Sequence, residues 1–148
     1  MVIVNKEFLH TPSRPVKFEE LNWKAIKGAL KAMKDLKGIG IAAPQVGRLE
    51  RWAWIAPPGR RPYLIINPYI IEPDHDKYLW LEPSFYTKNF EGCLSIPGKQ
   101  YLKERVKKLG VGYINEKQEA VLKTVTGLEA IIIQHELDHL DRRIISDE

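Results

Sequence analysis

The residues best able to do chemistry in this 148-residue chain stand close to its end. His135, Glu136, Leu137, Asp138 and His139 form a His-Glu-x-x-His run. On an α-helix, residues four apart differ by about 40° around the axis and one turn along it. Both imidazoles therefore face the same way and can grip one ion. Glu136 is offset by about 100°, close enough to address a water on that ion without ligating it. The plainer alternative is a helix with two ordinary polar histidines, and its neighbours argue against that. Leu128 and Ile132 share the histidines' stripe, while Ile133, Leu137 and Leu140 occupy the other side. A helix apolar nearly all round is expected to be buried. Two histidines and a glutamate in such a setting need partners, and a metal supplies them.

A catalytic site of this type needs a third protein ligand and one open position. A longer His-Glu-x-x-His-x-x-Gly-x-x-His arrangement would put glycine at 142 and histidine at 145, where this chain has Arg142 and Ile145. The third ligand must come from upstream or from the last few acidic residues. His10 and His75 sit in Pro-containing stretches and read as solvated loop residues. Cys93, the only thiol, lies in the segment Glu91-Gly92-Cys93-Leu94-Ser95-Ile96-Pro97. A free cysteine is ordinarily a small buried hydrophobe. Beside two facing histidines it is the better candidate. Two nitrogens and one sulfur suit iron(II), zinc, nickel or cobalt, and spacing does not choose among them. Two alternatives compete. A zinc endopeptidase could use the same helix but needs a different third ligand. A non-catalytic basic binding module could hold a structural metal, although such sites favour four protein ligands, often rich in Cys.

The elements that must position these groups can be read from periodicity. Residues 21–37 predict an N-terminal amphipathic helix, with Ile26, Ala29, Leu30, Met33 and Leu36 on one stripe and Lys24, Lys27, Lys31 and Lys34 opposite. A glycine-rich stretch covers 38–47. Strands at 51–56 and 63–66 flank a Pro57-Pro58-Gly59 turn, and Asn67-Pro68 breaks the second before 69–71 resumes it. Residues 72–90 read as strand and loop. A hairpin is expected from 105–114 and 119–125. The last helix runs from about 127 to 140, opened by a Thr126-Gly127-Leu128-Glu129 capping box. Asp138 can form an ion pair with Arg142 one turn on. One helix, many strands and one helix read as α+β: mainly antiparallel sheets packed around the buried C-terminal helix, in a single domain over 1–148.

Composition agrees. The chain is 44% hydrophobic and 28% charged, which excludes a disordered chain. Its longest apolar run is residues 52–56, far short of the ~20 residues a membrane span needs. A net charge of +4 does not by itself imply nucleic-acid binding. A lone cysteine indicates no oxidising compartment, and residues 1–7 lack the build of a signal peptide. The expected location is the cytoplasm.

Three segments resemble the signature motifs of peptide deformylases: Gly38-Ile39-Gly40-Ile41-Ala42-Ala43-Pro44-Gln45, Glu91-Gly92-Cys93-Leu94-Ser95 and Gln134-His135-Glu136-Leu137-Asp138-His139. They occur in the family's order with similar spacing, and the likeness extends from about residue 8 to residue 141. The resemblance implies removal of the formyl group from N-formylmethionine at the start of newly made polypeptides, releasing formate. It implies Cys93, His135 and His139 as ligands of one divalent ion, typically iron(II). A water on that ion would attack the formyl carbon, with Glu136 as general base and then acid. Gln45 and the backbone N–H of Leu94 would hold the oxyanion. Ile39 and Gly40, with Glu91 and Gly92, would line the edge where the peptide backbone docks. Leu128, Ile131 and Ile132 lead along the helix to the histidines and are expected to form the apolar slot for the methionine side chain. Glu91, paired with Arg105, is expected to support the ligands from behind. Gln100 stands where many members carry an arginine. Many bacterial members continue into a further helix, whereas this chain ends nine residues after His139. A monomer in transient proximity to the ribosome is expected, with N-formylmethionyl nascent peptides as its partners and neither a specific nucleic acid nor a membrane.

Overall fold

A computed structural model describes residues 2, 5–71 and 85–147. His75, and the 72–84 part of the stretch read as strand and loop, lie outside the described residues. The order of elements is α1 (Lys6–Leu9), a 3-10 turn, α2 (Trp23–Asp35), β1 (Gly40–Ala42), a second 3-10 turn (Ala43–Val46), β2 (Trp52–Ile55), β3 (Tyr63–Ile71), β4 (Tyr86–Cys93), β5 (Ile96–Val106), β6 (Lys108–Ile114), β7 (Ala120–Thr126) and α3 (Gly127–Leu140). The fold is α+β. A five-stranded sheet has the order β1-β2-β3-β6-β7, and β4 and β5 pair as a separate two-stranded sheet. Every pairing between these strands is antiparallel.

Side-chain alternation along β2 and β3 divides the core in two. Trp52, Trp54, Leu64 and Ile66 point to one face and meet Ile26, Ala29 and Met33 of α2. Ala53, Ile55 and Ile65 point to the other and meet Ala130, Ile132, Ile133 and Leu137 of α3. Strands buried on both faces read as unbroken apolar runs, which is why Trp-Ala-Trp-Ile needs no polar alternation. The α3 helix is thereby sandwiched: it packs against β1, β2, β6 and β7 of the large sheet and against β5 of the small one. That position brings the His-Glu-x-x-His face to the seam between the sheets.

Several local expectations need revision. The Asn22 side chain accepts from the Ala25 N–H at 3.0 Å and opens α2. The helix ends at Asp35, so Leu36 leaves the helical stripe and is 54% exposed. Asn67-Pro68 interrupts β3 as the sequence suggests, and the strand resumes beyond it. The interruption is a bulge between Ile66 and Tyr69, with Asn67 at φ 49° and its amide bonded to both backbone groups of Val16. The expected strand over 105–114 is two strands, because the chain crosses from the small sheet to the large one at Lys107. The capping box at Thr126 does not form. Glu129 is drawn instead to Arg60 at 3.0 Å and to the Tyr63 hydroxyl at 2.6 Å.

Candidate metal centre and active site

Cys93 ends β4, where a register shift after Gly92 breaks the regular pairing with β5. His135 and His139 project from α3. One ligand atom from each of these three residues lies within 4.8 Å of the others. Sγ of Cys93 stands 3.4 Å from Nε2 of His139. Among the described residues no other group of His, Cys, Asp or Glu side chains comes together in this way, and the endopeptidase alternative therefore finds no other third ligand there. His10 is not part of this group and is bonded instead to Asp147 at 3.0 Å.

The residues present fit a divalent cation. Nδ1 of His135 meets Oε1 of Glu91 at 3.0 Å. An Nδ1–H donated to that carboxylate leaves the Nε2 lone pair free for the ion. Burial alone would lower the pKa of His135, but Glu136, Cys93 and Glu91 override it and raise it to about 10. The cluster thus favours positive charge at the spot where a cation would sit. His139 behaves oppositely. Burial, then the charges of His135 and Arg105, lower it to about 3, which keeps the imidazole neutral and able to ligate.

Glu91 is itself held from behind. Nε and Nη2 of Arg105 donate to its two oxygens, each at 2.9 Å. Burial opposes ionisation of Glu91, yet Arg105 and His135 outweigh it and hold the carboxyl at about 2. Nη1 of Arg105 reaches Asp138 at 2.6 Å. Asp138 therefore pairs across to β5. The expected partner Arg142 lies past the end of α3 with φ 60°, where a one-turn spacing no longer applies.

Glu136 is 3% exposed, and its Oε1 has no hydrogen-bond partner. Burial raises its pKa to about 7 against the opposing charges of His135 and Arg105. A carboxyl poised near neutrality can take and return a proton. Gly40 makes room for it: a Cβ there would stand 2.5 Å from Oε2 of Glu136.

Gln45 is 1% exposed and its amide is fixed at both ends. Oε1 accepts from the Ala42 N–H at 2.9 Å. Nε2 donates to Sγ of Cys93 at 3.6 Å and to Oγ of Ser95 at 3.2 Å. The donor end therefore faces the ligand cluster. Leu94 follows Cys93 and packs partly buried against the α2 side of the core.

A groove of about 1570 Å³ opens over these groups. Ile39 and Gly40 line it, as do Glu91, Gly92 and Leu94, and Leu128, Ile131 and Ile132 of α3. The groove brings together every residue named from the sequence for catalysis or substrate contact, together with Cys93 and His135; His139 and Arg105 lie deeper. Three residues take part in ways not expected from the sequence. Ser95 fixes the Gln45 amide. Asp138 braces Arg105. Gln134 clamps Val106 by bonds to its N–H and C=O, both at 2.9 Å, and so ties α3 to the crossover between sheets. A polar side chain on a helix apolar nearly all round was the available signal for Gln134. No helix among the described residues is long and apolar enough to cross a membrane.

Comparison with known proteins agrees with this site. The chain matches the Polypeptide deformylase family over residues 1–148. It is 36% identical to the peptide deformylase of Thermotoga petrophila over 140 residues, covering 94% of this chain and 79% of the relative. Identity to the peptide deformylase of Neisseria meningitidis is 37% over 137 residues, covering 90% and 76%. The fold superposes on the crystal structure of peptide deformylase from Thermotoga maritima with a TM-score of 0.86 and 34% identity, covering all of this chain and 95% of that one. The chain therefore belongs to the polypeptide deformylases, metal-dependent hydrolases that remove the N-formyl group from newly made polypeptides.

Proposed function

We propose that Cys93, His135 and His139 hold iron(II), and that deformylation takes place in the groove above them. When bound, a divalent ion lowers the pKa of a water and polarises a carbonyl oxygen. The protein's own groups do the rest. Glu136 takes a proton from the attacking water and returns it to the leaving amine. Its unpaired oxygen, buried at the floor of the groove, is the observation that carries this role. The Gln45 amide and the Leu94 N–H donate to the formyl oxygen as charge grows there. Such donors need no reorganisation at the moment of reaction, and losing one typically costs about 10²–10³ in turnover.

Ile39 and Gly40, facing Gly92 and the backbone of Glu91, align the peptide main chain. Leu128, Ile131 and Ile132 receive the methionine side chain, an apolar ligand matched to apolar walls. Glu91 and Arg105 keep His135 in its ligating tautomer. In this reading residues 1–148 are one catalytic domain. The enzyme acts as a monomer in the cytoplasm, in transient proximity to the ribosome, where formylated chains emerge.

The test is metal analysis together with formate release from a formyl-Met peptide, both under exclusion of oxygen because thiolate sulfur oxidises readily. Iron should co-purify and sustain turnover, and internal peptide bonds should stay intact. Cys93→Ala should lose the metal. A variant that keeps a full complement of iron would remove Cys93 from the ligand set.

A further inference from the structure

The rim of the groove is charged unevenly. Lys37, Lys99, Lys107 and Lys108 line it and are exposed, and none forms an ion pair among the described residues. The carboxylates that line it among the described residues, Glu91 and Glu136, are 8% and 3% exposed, and Glu91 is matched by Arg105.

Two of these lysines belong to segments that meet the same turn, the one after Cys93. Lys37 precedes Gly38-Ile39-Gly40, the edge along which a peptide backbone would run. Its position is set by backbone bonds from Lys37 N–H to Lys34 C=O at 3.1 Å and from Gly38 N–H to Met33 C=O at 2.8 Å. The neighbouring Gly38 abuts Leu94 in the turn after Cys93: a Cβ there would lie 2.8 Å from Cδ1 of Leu94. Lys99 approaches the same turn from β5. Its carbonyl lies 3.7 Å from the Cβ position of Gly92, and the next residue, Gln100, is the register partner of Gly92. A peptide leaving the site between Ile39 and Gly92 would run between the segments that carry Lys37 and Lys99.

We propose that Lys37 and Lys99 select formylated chains carrying acidic side chains at the two positions after methionine. This rests on the groove being the substrate site. Gln100 supplies no charge of its own, so the charged side chains next to that turn in sequence and register are the two lysines. Each exposed pair contributes at most about fivefold, and two together set a preference of about tenfold. Charges at an open rim are screened by salt, and the preference falls with them.

The experiment uses the metal-loaded enzyme and three peptides: formyl-Met-Asp-Glu, formyl-Met-Ser-Gln and formyl-Met-Lys-Lys. At low salt the acidic peptide should exceed the basic one about tenfold in kcat/KM, through KM. The ratio should approach one in 0.5 M salt and reverse in K37E/K99E. Because each ratio is taken within one enzyme, a general loss of activity does not affect it. Binding of the products Met-Asp-Glu and Met-Lys-Lys, followed by chemical shifts of the lysine ammonium groups, gives a second readout. Equal kcat/KM and equal product affinity across the series would overturn the proposal. Failure to release formate from any peptide would instead strike the assignment of the site, and the binding ratio would still decide whether the rim selects acidic chains.

Discussion

The buried carboxyl of Glu136 predicts an enzyme that gains stability when its catalytic group is removed. In the metal-free protein, burial raises Glu136 from the ordinary 4.5 to about 7. At 1.36 kcal/mol per pH unit, that corresponds to about 3 kcal/mol. The sign follows from proton binding. Between pH 4.5 and 7 the folded protein holds a proton that the unfolded chain has released, so stability falls as pH rises through this window. The advantage is complete below 4.5 and lost above 7. Glu136→Gln keeps the shape and the neutral state at every pH. Compared with the wild type after chelation, it should be equally stable at pH 4.5. By pH 8 it should be more stable by about 3 kcal/mol, or roughly 10 °C in Tm for a chain of this size. Urea unfolding at pH 4.5, 6, 7 and 8 reads the difference directly. Returning the metal should shrink it, because a cation beside the carboxylate offsets the cost of its charge. Formate release should meanwhile fall by 10²–10⁴, the usual contribution of a general acid–base group. A stability difference that does not change with pH, or a wild type more stable than Glu136→Gln at pH 8, would show that the Glu136 carboxyl is not held neutral by burial.

Gly40→Ala should place a methyl 2.5 Å from Oε2 of Glu136 and 3.0 Å from Cγ2 of Ile132. Overpacking of that kind costs about 1–3 kcal/mol, and thermal unfolding with kcat should register both the strain and the displaced carboxylate. Arg105→Ala leaves Glu91 and Asp138 without their shared cation and should destabilise the fold by about 3–5 kcal/mol; urea unfolding measures it, and adding Glu91→Gln should recover part. Glu129 is resisted by burial but held below the ordinary carboxylate range by Arg60, Tyr63 and Lys123. Its contribution is present above about pH 4.5 and lost on further acidification, because the unfolded chain then binds more protons. The stability gap between wild type and Glu129→Gln should therefore be open at pH 7 and close at pH 3.

Chemistry was legible in this chain where it is local. His135, Glu136 and His139 share one helix, so the helical repeat alone sets their geometry. Gln45 and Cys93 were reached through composition and family resemblance, because the tertiary fold brings them to α3. β2 and the first half of β3 were legible for a different local reason: they are unbroken apolar runs on either side of a Pro-Gly turn, because both of their faces are buried. The sheet of β4 and β5 was not. Much of it meets solvent, with Lys88, Asn89 and Phe90 exposed in succession, so no apolar alternation marks it. The capping pattern at Thr126 misled because it considers only the chain's own neighbours. Arg60 and Tyr63, more than sixty residues away, offer Glu129 stronger partners.

The same distinction explains how the centre is assembled. Cys93 belongs to the small sheet, the histidines to α3, and Gln45 to the turn after β1. None of these elements brings the others into place by local preference. What joins them is a set of buried polar ties: Arg105 of β5 to Glu91 of β4 and to Asp138 of α3, Gln134 of α3 to the backbone of Val106, and Gln45 to Ser95. Each tie crosses from one element to another, and each places a polar group where leaving it unpaired would be costly. A one-residue slip of β4 against β5 would separate Glu91 from Arg105 and strand charge in the interior. Register within the small sheet is thus enforced by the same groups that orient His135. Apolar packing alone tolerates small slides at low cost; buried ion pairs do not. A centre assembled from the small sheet, the turn after β1 and a helix requires that second kind of constraint, which is why the supporting network extends beyond the residues that would touch the metal.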